Sequence, residues 1–222
     1  MQRRALFLDR DGTLVEPRHY PSHPDDLVLY GRIAPGLRRL RSAGFKLIVV
    51  TNQAGIARGY FGPRELFEMH RSLARRFARL GVIIDRFYFC PHHPDGVIPG
   101  LAVTCTCRKP QPGMLLRAAS ELHIDLERSW MIGDILADVE AGNRAHCRTV
   151  LVDIGTESRP TADQSMPDIV GRSTRHALDA IAAVEQLGPR CELTYIPDRW
   201  RQASVQTPSP TKPPATKGGG NG

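Results

Sequence analysis

Two carboxylates separated by one residue, Asp9 and Asp11, stand in the run Asp9-Arg10-Asp11-Gly12-Thr13, directly after the apolar run "ALFL". At the carboxyl end of a buried strand both can reach a site above the sheet edge, and Gly12 lets the chain turn away sharply. A third carboxylate, Asp134, follows the run "WMIG", with Asp138 four residues on. Together these oxygens make a cage suited to Mg2+, which takes hard octahedral ligands at ~2.0–2.1 Å and keeps several waters. A site that acidic attracts a phosphate only with added cations. Lys109 supplies one, beside Arg108. Read alone, Asp-x-Asp-Gly is equally at home in an ordinary turn or helix cap; its place after a strand is what favours chemistry.

A second, softer set precedes those cations. Cys90 and His92 are one residue apart, as are Cys105 and Cys107, and the loop between them ends at Arg108-Lys109. Four ligands of the Cys3His type form closed structural zinc sites with no position open to a substrate. The spacing is shorter than that of a common zinc finger. A clip of this kind would order a loop rich in Pro and Gly and fix the two cations over the acidic site. His93 reads as a surface neighbour, and Cys147 and Cys191, without nearby partners, read as inert.

The elements that must position these residues alternate in type. Short apolar runs, "ALFL", "KLIVV", "RFYF", "WMI" and "TVLV", read as strands. Between them lie the helical segments "PGLRRLRSAG", "PRELFEMHRSLARRFARLG", "PGMLLRAASELH" and the stretch after Asp134, with Pro35 and Pro63 near starts and Gly44 and Gly81 at ends. A further helix is expected from about Thr174 to Leu187. Alternation of this kind predicts an α/β fold, a Rossmann-like doubly wound parallel sheet, with its ligand site beyond the strands' carboxyl ends. Thr51-Asn52-Gln53 leaves "KLIVV" at that same edge. One domain is expected over residues 1–189, carrying the zinc loop at 90–107. Residues 190–222, which include "TPSPTKPPATKGGGNG", are expected to be a disordered tail too poor in apolar residues to pack.

Composition bounds the function classes. A length of 222 residues suits one sizeable core. The start of the chain has only a four-residue apolar run, and no stretch approaches the ~20 apolar residues of a membrane span, so a cytoplasmic protein without membrane contact is expected. A formal charge of +7 suits anionic ligands, from nucleic acid to small phosphates. The Arg-rich run "HRSLARRFARLG" argues less for nucleic acid than for a helix, because Leu66, Met69, Leu73, Phe77 and Leu80 recur at helical spacing and leave Arg71, Arg75 and Arg79 on a solvated flank. A zinc-dependent binding module would explain the cysteines but not carboxylates at two strand ends. A phosphatase of nucleic-acid ends would need base-stacking aromatics, and only 6% of residues are aromatic.

Four runs in order, "FLDRDGTLV", "VVTNQAGIARG", "CRKP" and "GDILAD", resemble the motifs of the haloacid dehalogenase superfamily over about residues 5 to 155. The Cys-x-His…Cys-x-Cys loop and the "CRKPQPGML" that follows narrow the resemblance to its heptose 1,7-bisphosphate phosphatases, with the histidinol-phosphate phosphatases, which share the loop, as cousins. The resemblance implies the haloacid dehalogenase fold without a large cap domain, catalytic Mg2+, structural Zn2+ on Cys90, His92, Cys105 and Cys107, and a small phosphorylated sugar as substrate to a monomeric enzyme. It makes Asp9 the nucleophile and Asp11 the general acid and base, with Mg2+ on the Asp9 side chain, the Asp11 main-chain carbonyl and Asp134. Lys109 and Thr51, with the amides of Asn52, Gln53 and Ala54, would neutralise the phosphoryl oxygens, and Asp138 would orient its neighbours. Arg18, His19, Tyr20 and Arg108 would contact the sugar and its second phosphate. Relatives often carry a basic residue directly after the fourth-motif Asp, where this chain has Ile135.

Overall fold

A computed structural model describes residues 3–188 and 195–202. Six strands, β1 (Arg4–Leu8), β2 (Phe45–Asn52), β3 (Arg86–Cys90), β4 (Trp130–Gly133), β5 (Arg148–Val152) and β6 (Ile169–Gly171), form one sheet in the order β3-β2-β1-β4-β5-β6. Every neighbouring pair is parallel. Chain order reverses between β1 and β4, and at such a switch point the carboxyl ends open a crevice.

Strands β1, β2, β4 and β5 read as nearly unbroken apolar runs because both faces of the sheet are covered there, whereas the edge strand β3 leaves Arg86 and Phe89 exposed. Leu6 and Leu8 of β1, with Leu47 and Val49 of β2, pack on the face carrying α1 (Ala34–Ser42), α2 (Pro63–Arg79) and α5 (Thr174–Val184). Ala5, Phe7, Ile48 and Val50 face the other way, against Met114, Leu115 and Ala118 of α3 (Gly113–Leu122) and Ala141 of α4 (Leu136–Arg144). Each helix matches an expected segment. In α2 the predicted stripe is buried at Leu66, Met69, Leu73 and Phe77, but Leu80 is 47% exposed. The helix ends at Arg79, so Leu80 leaves the periodic face and Val82, after the turn at Gly81, takes the place in the core.

Two elements were not anticipated. Strand β6, Ile-Val-Gly, is too short to display a period. The other corrects the expected tail. Residues 195–202, inside the 190–222 stretch, carry a short helix α6 (Asp198–Gln202), and Trp200 is buried against Val139 and Leu151. Its indole Nε1 donates to the Glu157 carbonyl at 3.1 Å, while the Arg199 guanidinium pairs with Asp153. One aromatic with an ion pair beside it anchors a segment whose average composition looks unable to pack. The Pro/Gly-rich run and Cys191 lie outside the described residues. Among the described residues no helix is long and apolar enough to cross a membrane.

If Trp200 closes the β5–α4 edge in this way, Trp200→Ala should cost about 3 kcal/mol of folding stability, the ordinary loss for a buried Trp. Urea denaturation of the two chains measures it, and an unchanged midpoint would remove α6 from the folded core.

Candidate active site

At the switch point three carboxylates converge. Asp9 continues β1, its amide donating to the Ile132 carbonyl of β4 at 2.9 Å, and Asp134 follows β4. Carboxylate oxygens of Asp9, Asp134 and Asp138 all lie within 4.8 Å of one another, and all three residues are buried. Close backbone approach makes the room. Gly12 has a φ of +82°, and a Cβ there would stand 2.1 Å from Asp134 Oδ2; one on Gly133 would stand 2.1 Å from Asp138 Oδ2. The Thr13 hydroxyl stands 3.5 Å from Asp134 Oδ1.

Among the described residues a single cation faces this cluster. Lys109 Nζ sits 2.6 Å from Asp9 Oδ1, 2.6 Å from Asp138 Oδ1 and 2.8 Å from the Val50 carbonyl. Asp138 Oδ2 also accepts from the Ile135 amide at 3.3 Å, at the start of α4. Three carboxylates against one ammonium leave two negative charges without a partner in a buried site. Burial, then the neighbouring carboxylates, accordingly pushes the Asp134 carboxyl up to about 9. Burial raises Asp9 to about 7 even though Lys109 pulls the other way. Lys109 is raised well above its ordinary value, since the attraction of Asp138 and Asp9 outweighs its own desolvation. Oxygen-only donors carrying excess negative charge fit a hard divalent cation.

Asp11 is held apart from the cluster. Arg10 Nη2 donates to Asp11 Oδ2 at 2.7 Å and Nε to Oδ1 at 3.1 Å, and Gln53 Nε2 reaches Oδ2 at 3.2 Å. Arg10 is fully buried, with Nη2 also 3.1 Å from Gln53 Oε1. Burial, with the charge of Arg10 added, drops His70 to about 3, so this ring stays neutral. Gln53 Nε2 also donates to the Thr51 hydroxyl at 2.9 Å. Sequence reasoning missed Arg10, although a cation between two motif carboxylates is the one residue there able to orient Asp11. It expected the Asn52 amide at the phosphate and did not foresee a use for the side chain, which clamps the Lys109 backbone, accepting from its N–H and donating to its C=O, both at 3.1 Å.

The soft ligands meet as well. Sulfurs of Cys90, Cys105 and Cys107 lie 3.2–3.5 Å apart, and His92 Nδ1 is 3.4 Å from Cys107 Sγ and 3.6 Å from Cys90 Sγ. A tetrahedral zinc with bonds of about 2.3 Å to sulfur and 2.0–2.1 Å to nitrogen needs ligand edges of about 3.5–3.8 Å; most of the observed edges are somewhat shorter, so this donor set fits zinc once the sulfurs move slightly outward. The cluster is tied to the next residue, whose Arg108 Nη1 donates to the His92 carbonyl at 3.3 Å.

A cavity of about 290 Å3 opens beside Asp11, lined by Arg18, His19, Tyr20, Asn52, Gln53, Ala54 and Arg108 among others. It brings together the residues of the loop after the first motif and of the cation pair. Tyr20, at a left-handed φ of 50°, meets the His19 ring at 4.5 Å and the ring of Tyr60 at 4.7 Å, both edge to face. Tyr60 was not anticipated. Ile135 is 37% exposed and offers no charge. A larger hollow of about 480 Å3 lies against β3 and α3, but no carboxylate of the cluster lines it. Chemistry, not size, selects the smaller one.

Comparison with known proteins follows this geometry. The HAD-hydrolase-like family model matches residues 106–177. The chain is 43% identical over 152 residues to the D-glycero-beta-D-manno-heptose-1,7-bisphosphate 7-phosphatase of Yersinia pestis, covering 68% of this chain and 81% of that one. It is 41% identical over 162 residues to the enzyme of the same name from Escherichia coli K12, covering 72% and 85%. Among solved structures it resembles a HAD-like phosphatase from Mesorhizobium loti at TM-score 0.73 and 38% identity, covering 85% and 89%. It also resembles the D,D-heptose 1,7-bisphosphate phosphatase of B. bronchiseptica, complexed with magnesium and phosphate, at TM-score 0.68 and 26% identity, covering 83% and 99%.

Two outcomes are expected of this site. Without a divalent cation, Asp9 and Asp134 hold their protons to about pH 7 and about pH 9, well above their ordinary 3.8. Unfolding then releases protons between those limits, so stability falls as pH rises through that window. Mg2+ replaces those protons, and its stabilisation should therefore grow from about pH 5 to about pH 9; thermal melts with and without Mg2+ showing the same shift at every pH would contradict the charge assignment. Asn52→Ala should release the Lys109 backbone and lower kcat roughly 10²-fold with the fold intact, the scale of a ~1 Å misplacement; steady-state kinetics with near wild-type kcat would rule out the clamp.

Proposed function

The chain belongs to the heptose-1,7-bisphosphate 7-phosphatase family of HAD-like hydrolases, and from that premise we infer that it removes the 7-phosphate of D-glycero-D-manno-heptose 1,7-bisphosphate, a step of nucleotide-activated heptose synthesis. The observation that carries the reading is the pairing of a buried, net-negative carboxylate cluster with one lysine beside an arginine-rimmed cavity.

Asp9 is the nucleophile. Its carboxylate oxygen bonds to phosphorus as the bond to the sugar oxygen breaks, giving an aspartyl-phosphate, so one hard displacement becomes two easier ones. Asp11 donates its proton to the departing sugar oxygen and then takes one from the water that cleaves the intermediate. Arg10 and Gln53 hold that carboxyl toward the cavity and away from the metal ligands. Lys109, the Thr51 hydroxyl and the amides of Asn52 and Ala54 take up charge on the phosphoryl oxygens; the Gln53 amide, expected among them, already donates to the Cys90 carbonyl at 2.8 Å. The Asp9 side chain, the Asp11 main-chain carbonyl and Asp134 are the residues to hold Mg2+, which when bound neutralises the transferring phosphoryl group. Asp138, occupied by Lys109 and the Ile135 amide, orients rather than coordinates. Cys90, His92, Cys105 and Cys107 hold Zn2+ as a structural clip that fixes Arg108 and Lys109. This reading makes residues 1–189 the phosphatase domain, to which α6 is a C-terminal anchor, and a monomer contains every group the reaction uses.

The distal phosphate falls to Arg108, with Arg18, His19 and Tyr20 around the same cavity. Arg108→Ala should lower kcat/KM for the bisphosphate about 10²-fold, near 2.7 kcal/mol, while sparing slow hydrolysis of a simple monoester. Wild-type enzyme should prefer the bisphosphate over histidinol phosphate by at least ~10²-fold, since only the former rewards a second cation. Side-by-side kinetics giving equal or reversed preference would move the assignment to histidinol phosphate.

A further inference from the structure

Tyr20 stands in a conformation that its own loop does not favour. Its φ of 50° is left-handed, which strains any residue with a Cβ, and a proline such as Pro21 normally pushes the residue before it toward extended geometry. The loop supplies little restraint of its own. The Glu16 amide donates to the Val28 carbonyl at 2.8 Å, and the amides of Ser22 and His23 donate to Asp26 Oδ2 at 3.0 and 2.8 Å. Between those ties, among the described residues, the backbone of 17–21 makes no intramolecular hydrogen bond, and Glu16 to His19 are exposed.

An aromatic contact supplies what the loop lacks. The Tyr20 ring, half-buried at the margin of the core, meets the Tyr60 ring at 4.7 Å and an interplanar angle of 62°, and the His19 ring at 4.5 Å and 83°. Tyr60 is held firmly in turn. Its amide donates to the Gly55 carbonyl at 2.9 Å, and the next residue, Phe61, is buried with its ring so close to Gly55 that a Cβ there would stand 2.3 Å from Phe61 Cε1. Pro63 then opens α2, with Glu65 accepting from the Gly62 amide at 2.8 Å. Tyr60 is nevertheless 54% exposed and does not line the catalytic cavity, whereas Arg18, His19 and Tyr20 all do.

We propose that Tyr60 is a positioning residue for substrate recognition: its ring holds Tyr20 in the left-handed conformation and so keeps Arg18 and His19 at the cavity wall. This role rests on the reading that the cavity receives the part of the substrate beyond the reacting phosphate. A loop without the brace would present Arg18 and His19 only part of the time, and apparent affinity falls in proportion to the competent fraction. Tyr60 sits on the same turn as Asn52 and Gln53, so one rigid segment serves the phosphate end of the cavity directly and its far end through Tyr20.

The test follows trypsin cleavage of the Arg18–His19 bond by mass spectrometry, beside steady-state kinetics of the full zinc-loaded chain with Mg2+. Tyr60→Ala should speed that cleavage about fivefold, the scale of one lost aromatic pair, because proteolysis of a transiently opened segment tracks its open population. It should raise KM for the heptose 1,7-bisphosphate by a similar factor with kcat within about twofold, and leave p-nitrophenyl phosphate, which has no distal phosphate, unchanged. Tyr60→Phe keeps the ring and should match wild type in all three measurements. Cleavage no faster in Tyr60→Ala, an unmoved KM for the bisphosphate, p-nitrophenyl phosphate turnover falling in parallel, or Tyr60→Phe behaving like Tyr60→Ala each overturns the proposal. Wild-type enzyme that handles the bisphosphate no better than p-nitrophenyl phosphate would instead overturn the substrate reading, and the cleavage rates alone would then decide the Tyr60 brace.

Discussion

Charge imbalance at the switch point governs the rest of the architecture. Asp9, Asp134 and Asp138 are buried together with Lys109 as their one cation among the described residues, and an isolated buried charge costs several kcal/mol even after relaxation. A fold tolerates this only where the carboxylates take up protons or where a cation arrives. The raised carboxyls of Asp9 and Asp134 show the first solution, and the oxygen-only donor set is built for the second. Everything near the site serves to keep the carboxylates close in spite of their repulsion. Parallel strands β1 and β4, joined by the Asp9–Ile132 hydrogen bond, fix two of them, and the absent side chains of Gly12 and Gly133 let the backbone approach.

The same constraint explains why Lys109 needs so much support. Its ammonium answers two carboxylates and a carbonyl at once, and a flexible four-carbon stem on a mobile loop would lose that geometry. Three restraints act on its backbone: the Asn52 clamp, the ligand cluster ending two residues earlier, and Arg108 reaching back to the His92 carbonyl. The soft-ligand loop is thus coupled to the Lys109 ammonium through position alone.

Much of this was legible in the sequence because the sheet is buried on both sides. Continuous apolar runs located β1 to β5, and the residues following them then named Asp9, Thr51 and Asp134 without any knowledge of side-chain packing. What stayed hidden depends on contacts between distant segments. Nothing local says that Arg10 turns inward onto Asp11, because arginine beside aspartate looks like any solvated pair. Asn52 shows the same limit: its place after β2 suggested a use for its amide, and nothing local says that its side chain holds the Lys109 backbone, 57 residues away in sequence. Strand β6 failed on length, and α6 failed because low average apolarity conceals one well-placed tryptophan.

Arg10 completes the division of labour between the two motif carboxylates. Both follow the same strand, so both would crowd into one acidic cluster unless something held Asp11 aside. A fully buried guanidinium gripping both oxygens of Asp11 does so. The pair is partly desolvated, where a bidentate arginine–carboxylate contact keeps its geometry far better than at an exposed surface. Gln53 extends the brace, bonding Arg10, Asp11 and Thr51 together, so the Asp11 carboxyl and the Thr51 hydroxyl are set relative to each other by one amide. Separation of the two carboxyls therefore rests on the residue between them and on a glutamine from the neighbouring strand's end.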